Sequence, residues 1–334
     1  MSTNYIYGTI LTGEAVAANN RGDNVGNTTT LQKVFHNDDV HTSVSAEAIR
    51  FALRYRFQLE RLNVNRSYDS STGALSYIDE KRTQWADSSS PFVDDDLMGF
   101  MDAAAAKDER EVADADDLED VLPEAKVAVK TKSKAKPKGK TTKRQSPLAI
   151  GRAVSLRPYR GELSFNCVSG TKEKGKLSLY NAEMHTTEYQ YSFGLNLDDV
   201  IEKKNIGYLL DAIVDPPAVG GNHSRFAYDF CPSTIVLRVT NEHSSRIQNL
   251  FEHEELQRTY TAYRLIQRIK SGDISPSEII VGGGISETEE GKELRSLGVT
   301  VFHGVKAAMN EARERISKLD PSMESVAEKA GAKG

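Results

Sequence analysis

Two stretches of this 334-residue chain hold side chains suited to gripping an anionic ligand. In the first, Arg50, Arg54 and Arg61 are spaced by nearly whole helical rotations, so a helix would set their guanidiniums on one face with Phe57 among them. Planar guanidiniums in a row suit successive phosphates of a nucleic-acid strand. The alternative is a solvated face on which Glu47 and Glu60 pair with the arginines. In the second stretch, Val219-Gly-Gly-Asn-His-Ser-Arg225 joins a backbone open to close approach with an imidazole and a guanidinium. The same Gly-Gly pair also fits a plain turn.

Other stretches only resemble chemical motifs. Gly170-Thr-Lys-Glu-Lys-Gly175-Lys176 has the spacing of a P-loop, but Leu177 stands where a Ser or Thr would hold the metal. The segment also joins two strand-like runs, so a hairpin tip is expected. His253-Glu-Glu-Leu-Gln257 lacks the second histidine of a zinc helix, and Val281-Gly-Gly-Gly284 lacks dinucleotide spacing. No Ser/His/Asp set and no CxxC pair is present. His185 and His223 could converge with Glu183 for general-acid chemistry. No metal and no cofactor is expected.

The elements that must position these residues follow from periodicity. Tyr5–Thr12 has the β-branched and aromatic content of a strand, followed by a polar loop over 19–30. A helix should start near Ser45, its N-cap, with Glu47 in the first turn and an apolar stripe of Ala48, Phe51, Ala52, Tyr55, Leu59 and Leu62. Residues 66–150 break the rhythm and read as an insertion, helical near 94–106 and disordered over about 107–146. Strand-like runs follow at 153–156, 162–168, 176–180 and 183–197, then a helix at 197–214 and a strand at 233–240. Without the insertion the order is βαββαβ, that of a ferredoxin-like or RRM-like α+β domain. A C-terminal α/β appendix of the same domain is expected over 246–334, with a helix at 254–270, strands at 278–283 and 298–302, a helix at 305–319 and a frayed end from 322.

Charge is segregated. The chain has 43 Lys and Arg against 48 Asp and Glu. Residues 94–120 hold twelve acids against Lys107 and Arg110, whereas 126–144 hold nine basic residues and no acid. The net acidity therefore hides local positive charge. Cys167 and Cys231 lie far apart in apolar surroundings, as expected of buried thiols in a reducing compartment. The polar start is no signal peptide and no apolar run reaches membrane-span length, so a cytoplasmic protein is expected.

Four stretches in order carry a family likeness: Thr12-Gly with Asn19-Asn-Arg21; Gln32-Lys-Val-Phe35 with Val44-Ser-Ala-Glu-Ala-Ile-Arg50; Glu183-Met-His-Thr-Thr-Glu-Tyr189; and 219–225 leading to Ile235-Val-Leu-Arg238. Together they resemble the DevR-type backbone protein of type I-B CRISPR systems, within the RAMP superfamily. The resemblance covers 1–65 and about 150–245. It implies a hand-shaped, non-catalytic protein that stacks in several copies along one CRISPR RNA, in a Cascade complex with a large subunit, a small subunit, a handle-binding subunit and a repeat endonuclease. Target DNA would then be read through the guide, and no membrane partner is implied. An RRM-like palm would comprise 1–65 and 151–245, the fingers 66–150, and a thumb hairpin near 160–181 with Lys172, Lys174 and Lys176 at its tip. By the same likeness Asn20, Arg21, Lys33, Ser45, Arg50 and Arg54, with Gly220, Gly221, Asn222, His223 and Arg225, would face the guide backbone. The long acidic-then-basic insertion departs from the family. Two other readings are a repeat-processing endoribonuclease of the same superfamily, using His185 or His223, and a regulator, for which no helix-turn-helix is evident.

Overall fold

The computed structural model describes residues 3–19, 21–82, 85, 91–101, 143–167, 179–221, 228–254 and 259–327. The chain is a mixed α+β protein built on two sheets. It begins with β1 (Tyr5–Thr12) and β2 (Ala15–Ala17). The expected loop over 19–30 is instead a hairpin, β3 (Arg21–Val25) and β4 (Thr28–Leu31), turned by Gly26 at φ 60°. A second hairpin, β5 (Lys33–His36) and β6 (Asp39–Val44), leads to α1 (Ala46–Leu59). The insertion starts with the hairpin β7 (Arg66–Tyr68) and β8 (Leu75–Tyr77), then a short buried helix, α2 (Val93–Met98). Helix is thus found over a smaller span than the expected 94–106, because Gly99 turns the backbone to φ 64° and a Cβ there would meet Arg144 O. The short pair β9 (Phe100–Met101) and β10 (Lys143–Arg144) closes the described part of the insertion.

Next come β11 (Leu148–Ile150), β12 (Ala153–Ser155), β13 (Glu162–Cys167), β14 (Leu179–Thr187) and β15 (Tyr189–Asn196). The single alternating run expected over 183–197 therefore breaks at Glu188, where the chain passes from the second sheet into the first. Helix α3 (Lys204–Val214) and β16 (Pro232–Thr240) follow. The helix expected over 254–270 is the pair β17 (Glu252–Glu254) and β18 (Thr259–Thr261), then α4 (Tyr263–Lys270). The chain closes with β19 (Ile279–Gly283), α5 (Glu289–Ser296), β20 (Thr300–Phe302) and α6 (Val305–Ser317).

The main sheet runs β20-β19-β16-β1-β15-β12-β6-β5, with β11 also on β15. The C-terminal segment thus extends this sheet through β19 on β16. Helices α1, α3 and α6 pack on one face over Ile6, Ile10, Leu195, Ile235 and Leu237. Helices α4 and α5 cover part of the other over Leu11, Val236 and Val281. Two swapped pairs lock β1 to β15: Tyr7 faces Gly194 and Gly8 faces Phe193. A Cβ at either glycine would collide with the opposite ring, so each aromatic lies flat on bare backbone. The second sheet runs β13-β14-β4-β3, with β2 on β14. The C-terminal residues from 322 are not frayed as far as they are described. Pro321–Ala327 forms a 3-10 helix that buries Met323 and Val326 and receives a hydrogen bond from Arg313 to Val326 O at 3.2 Å.

Candidate nucleic-acid interface

Helix α1 forms where the sequence predicts because Ser45 caps it, accepting from Ala48 N at 3.2 Å. The face it buries is another matter. Ile49, Ala52, Leu53 and Phe57 enter the core, while Phe51 and Leu59 of the expected stripe stay exposed. Both stripes have helical period, and tertiary contacts choose between them. Phe51 and Tyr55 pack edge-on against Tyr68 of β7, at 5.1 and 5.7 Å, so these two aromatics of the expected stripe meet the insertion, while Ala48, Ala52 and Leu62 reach the core. Phe57 is core and does not stand among the arginines. Arg61 lies past the helix end at φ 58° and leaves the face it was expected to share.

Arg50 and Arg54 turn toward protein. Arg50 donates to Met98 O at 2.6 Å, Leu148 O at 3.0 Å and the Ser146 hydroxyl at 3.3 Å. Arg54 pairs with Asp94 at 3.4 Å. Helix α2 is a knot of three consecutive buried carboxylates, each with its own anchor. Asp94 accepts from Asn65 N at 2.7 Å and Arg66 N at 3.1 Å. Asp95 accepts from Asn65 Nδ2 at 2.7 Å, and burial raises its pKa to about 6. Asp96, 0% exposed, accepts from Ile201 N, Glu202 N, Asn205 Nδ2 and Arg144. It thus ties the turn before α3 to the insertion, while Lys203 at the N-cap of α3 makes no side-chain cap. These acids belong to internal ties, a role that the charge count of 94–120 did not indicate.

At the end of β1 a polar network joins four strands, β1, β6, β14 and β15, and the segment before β16. Thr12 Oγ1 bonds the Tyr228 hydroxyl at 2.6 Å and receives Tyr189 N at 2.8 Å. The Tyr189 hydroxyl meets Thr42 Oγ1 at 2.8 Å, and Thr42 Oγ1 meets His185 Nδ1 at 2.8 Å. His185 is 3% exposed, and burial lowers its pKa to about 4. It is therefore neutral near pH 7 and shielded from a substrate, which suits a structural hydrogen bond better than general-acid work. Beside this network two of the four stretches of the family likeness meet, because Asn19 Nδ2 donates to Val219 O at 2.6 Å. Gly220 and Gly221 follow at φ 72° and 63°, leaving bare backbone at the surface of this end.

The thumb-like hairpin is β13 on β14, registered from Glu162↔Met184 to Cys167↔Leu179. At its root Glu183 accepts from Leu31 N at 2.8 Å and from Lys33 Nζ at 2.5 Å. Lys33 also lies 4.8 Å over the Tyr159 ring, yet its side chain remains 30% exposed. Arg21 lies in β3 opposite Leu31. Asn20, Lys172, Lys174, Lys176, Asn222, His223 and Arg225 fall outside the described residues. Sequence reasoning missed Asn19, Tyr189, Tyr228 and the α2 carboxylates. A Thr or Tyr inside an apolar strand was the one available signal for the network.

Solved structures with this fold define its class. The chain resembles "CRISPR RNA-guided surveillance complex, pre-nicking" with TM-score 0.54 at 12% identity, covering 92% of this chain and 98% of that one. A second, "CRISPR RNA-guided surveillance complex", matches with TM-score 0.53 at 13% identity over the same shares. The family model described as "CRISPR-associated negative auto-regulator DevR/Csa2" matches residues 10–268. "CRISPR-associated protein Cas7/Cst2/DevR" of Myxococcus xanthus (strain DK1622) is 34% identical over 321 residues, spanning 93% of this chain and 97% of that protein. The chain belongs to the DevR/Csa2 family.

Proposed function

We propose that this protein is a non-catalytic CRISPR RNA-binding backbone subunit of a type I-B Cascade surveillance complex, working in the cytoplasm in antiviral defence. Copies stack along the guide and present it for base pairing with target DNA, alongside the large, small and handle-binding subunits and the repeat endonuclease. Family membership supports the setting. The observation that carries the binding role is the convergence at the end of β1. There the Asn19–Val219 contact, the bare Gly220–Gly221 backbone and the Lys33–Glu183 pair at the hairpin root come together in one region.

In this reading β16, β1, β15 and β12 are the palm; their order, fourth-first-third-second, supports an RRM-like core. Residues 66–150 are the fingers, 160–181 the thumb and 246–334 an appendix of the same domain. Arg21, Lys33, Gly220 and Gly221, with Asn20, Lys172, Lys174, Lys176, Asn222, His223 and Arg225, contact the guide backbone. Ser45, Arg50 and Arg54 set the angle of α1 and act as positioning residues. Phosphate contacts hold a guide without reading it, so any spacer is accepted, and pairing supplies the sequence recognition.

The test is binding of the purified chain to guides of different lengths. Mass should rise in discrete protomer steps with guide length. Lys33→Ala should weaken unrelated guides equally and flatten the salt dependence by about 0.7 log unit per log salt. A mass fixed at monomer or dimer on long guides, with the other subunits present, would overturn the reading. So would repeat-RNA cleavage that His223→Ala abolishes.

A further inference from the structure

The sheet face opposite α1 and α3 is only partly covered by α4 and α5. Beyond them an open cleft of about 950 Å³ lies over β1, β11, β12 and β15. Its base is flat because Tyr7 rests on Gly194, where a Cβ would come within 2.9 Å of the ring. The ring is held in place: it stacks on Tyr5 at 5.6 Å and 11°, and its hydroxyl donates to His243 O at 2.7 Å. Ala149 adds a low apolar wall, while Arg152, Gln248 and Asn249 supply the polar rim. No Asp or Glu among the described residues lines this cleft, although the whole chain carries a net charge of −5.

A fixed aromatic surface beside carboxamides and one guanidinium matches a nucleobase with its phosphate. Aromatic rings stack on any base and carboxamides both donate to and accept from base edges. Arg152 uses Nη1 on Gln32 and Ser43, at 3.1 and 3.2 Å, and a guanidinium has five N–H donors in all. The cleft is also longer than one nucleotide needs. At Asn249 it meets a second of about 1150 Å³, which contains His36, His41, His253 and Arg264 together with the acids Asp39, Glu252 and Glu254. That mixed charge makes the second cleft an extension of the first rather than its own anion site.

We infer that this trough binds an unpaired stretch of single-stranded nucleic acid, with one base against Tyr7 and its phosphate at Arg152. The site lies on the sheet face away from α1 and is independent of the guide-binding reading, because it can be tested on the chain with and without guide RNA. The probe is a fluorescent short oligothymidylate, followed by anisotropy. Ala149→Trp fills the cleft from an exposed strand position, and stacking typical of one base predicts about a tenfold loss of probe affinity. Guide affinity of the same variant should stay unchanged. A probe carrying 5-iodouridine on the unaltered protein should photo-crosslink to the peptide that contains Tyr7, which keeps the test independent of the variant's folding. Unchanged probe binding by Ala149→Trp, or crosslinks confined to the β13–β14 hairpin, would overturn the inference. Binding of free thymidine monophosphate as tightly as the oligonucleotide would overturn the strand and leave a mononucleotide pocket.

Discussion

The root of the insertion and the root of the β13–β14 hairpin are both held by a cation beside a carboxylate, and they use the pair differently. Around α2, Asp94 and Asp96 are buried, Arg54 is largely covered, and Asp96 has backbone and side-chain donors on several sides. At the hairpin root, Lys33 and Glu183 form one pair that remains in reach of solvent. A buried charge whose partner is removed is left without compensation, whereas an exposed pair contributes little to stability. The first region therefore fixes the fold, and the second is the one able to exchange its partner for a phosphate.

The largest expected effect comes from Asp96→Ala. It leaves the Ile201 N, Glu202 N and Asn205 Nδ2 donors without their acceptor and removes the carboxylate facing Arg144, so unfolding in urea should move by about 3–5 kcal/mol. A loss within the range of a surface pair would erase the contrast between the regions. Arg50→Ala should cost about 2 kcal/mol, since Met98 O and Leu148 O lose a charged donor. Lys33→Ala should cost under about 1 kcal/mol while lowering guide affinity. If Arg50→Ala instead left stability intact and flattened the salt dependence of guide binding, α1 would be a phosphate-facing helix after all.

A smaller effect separates two buried titrating groups. The pKa of Asp95 is raised to about 6 from 3.8, so the folded state holds its proton more tightly and gains stability as pH falls through 6 toward 3.8. That of His185 is lowered to about 4 from 6.5, so its contribution is present above 6.5 and is lost as pH falls toward 4. Relative to the unaltered chain, Asp95→Asn should be at least as stable at pH 8 and lose that advantage by pH 5. The difference should be about 1 kcal/mol, read from urea midpoints across that range. A parallel pair of pH curves would show that Asp95 is not held ionised at a cost.

Elements with local causes were legible. Tyr5–Thr12 and the start of α1 at Ser45 follow from β-branched content and a side-chain cap within one turn. After β16 the strands β19 and β20 and helix α6 lie where they were expected, whereas β17, β18 and α5 were not foreseen. The starts of α3 and α4 were not, because neither has its own cap. Asp96 reaches Ile201 N and Glu202 N across the fold, and Glu290 receives Ala262 N at 2.9 Å. Nothing within a turn of either helix records those carboxylates.

The sequence by itself determined where apolar and charged side chains recur, and hence the α+β class and the β13–β14 hairpin. Only the tertiary structure decided which of two helical stripes on α1 is core and which of its arginines meet protein. It likewise decided that three adjacent aspartates are internal anchors. The physical reason is that periodicity constrains a side chain's direction relative to its own element, while burial depends on what another element places against it.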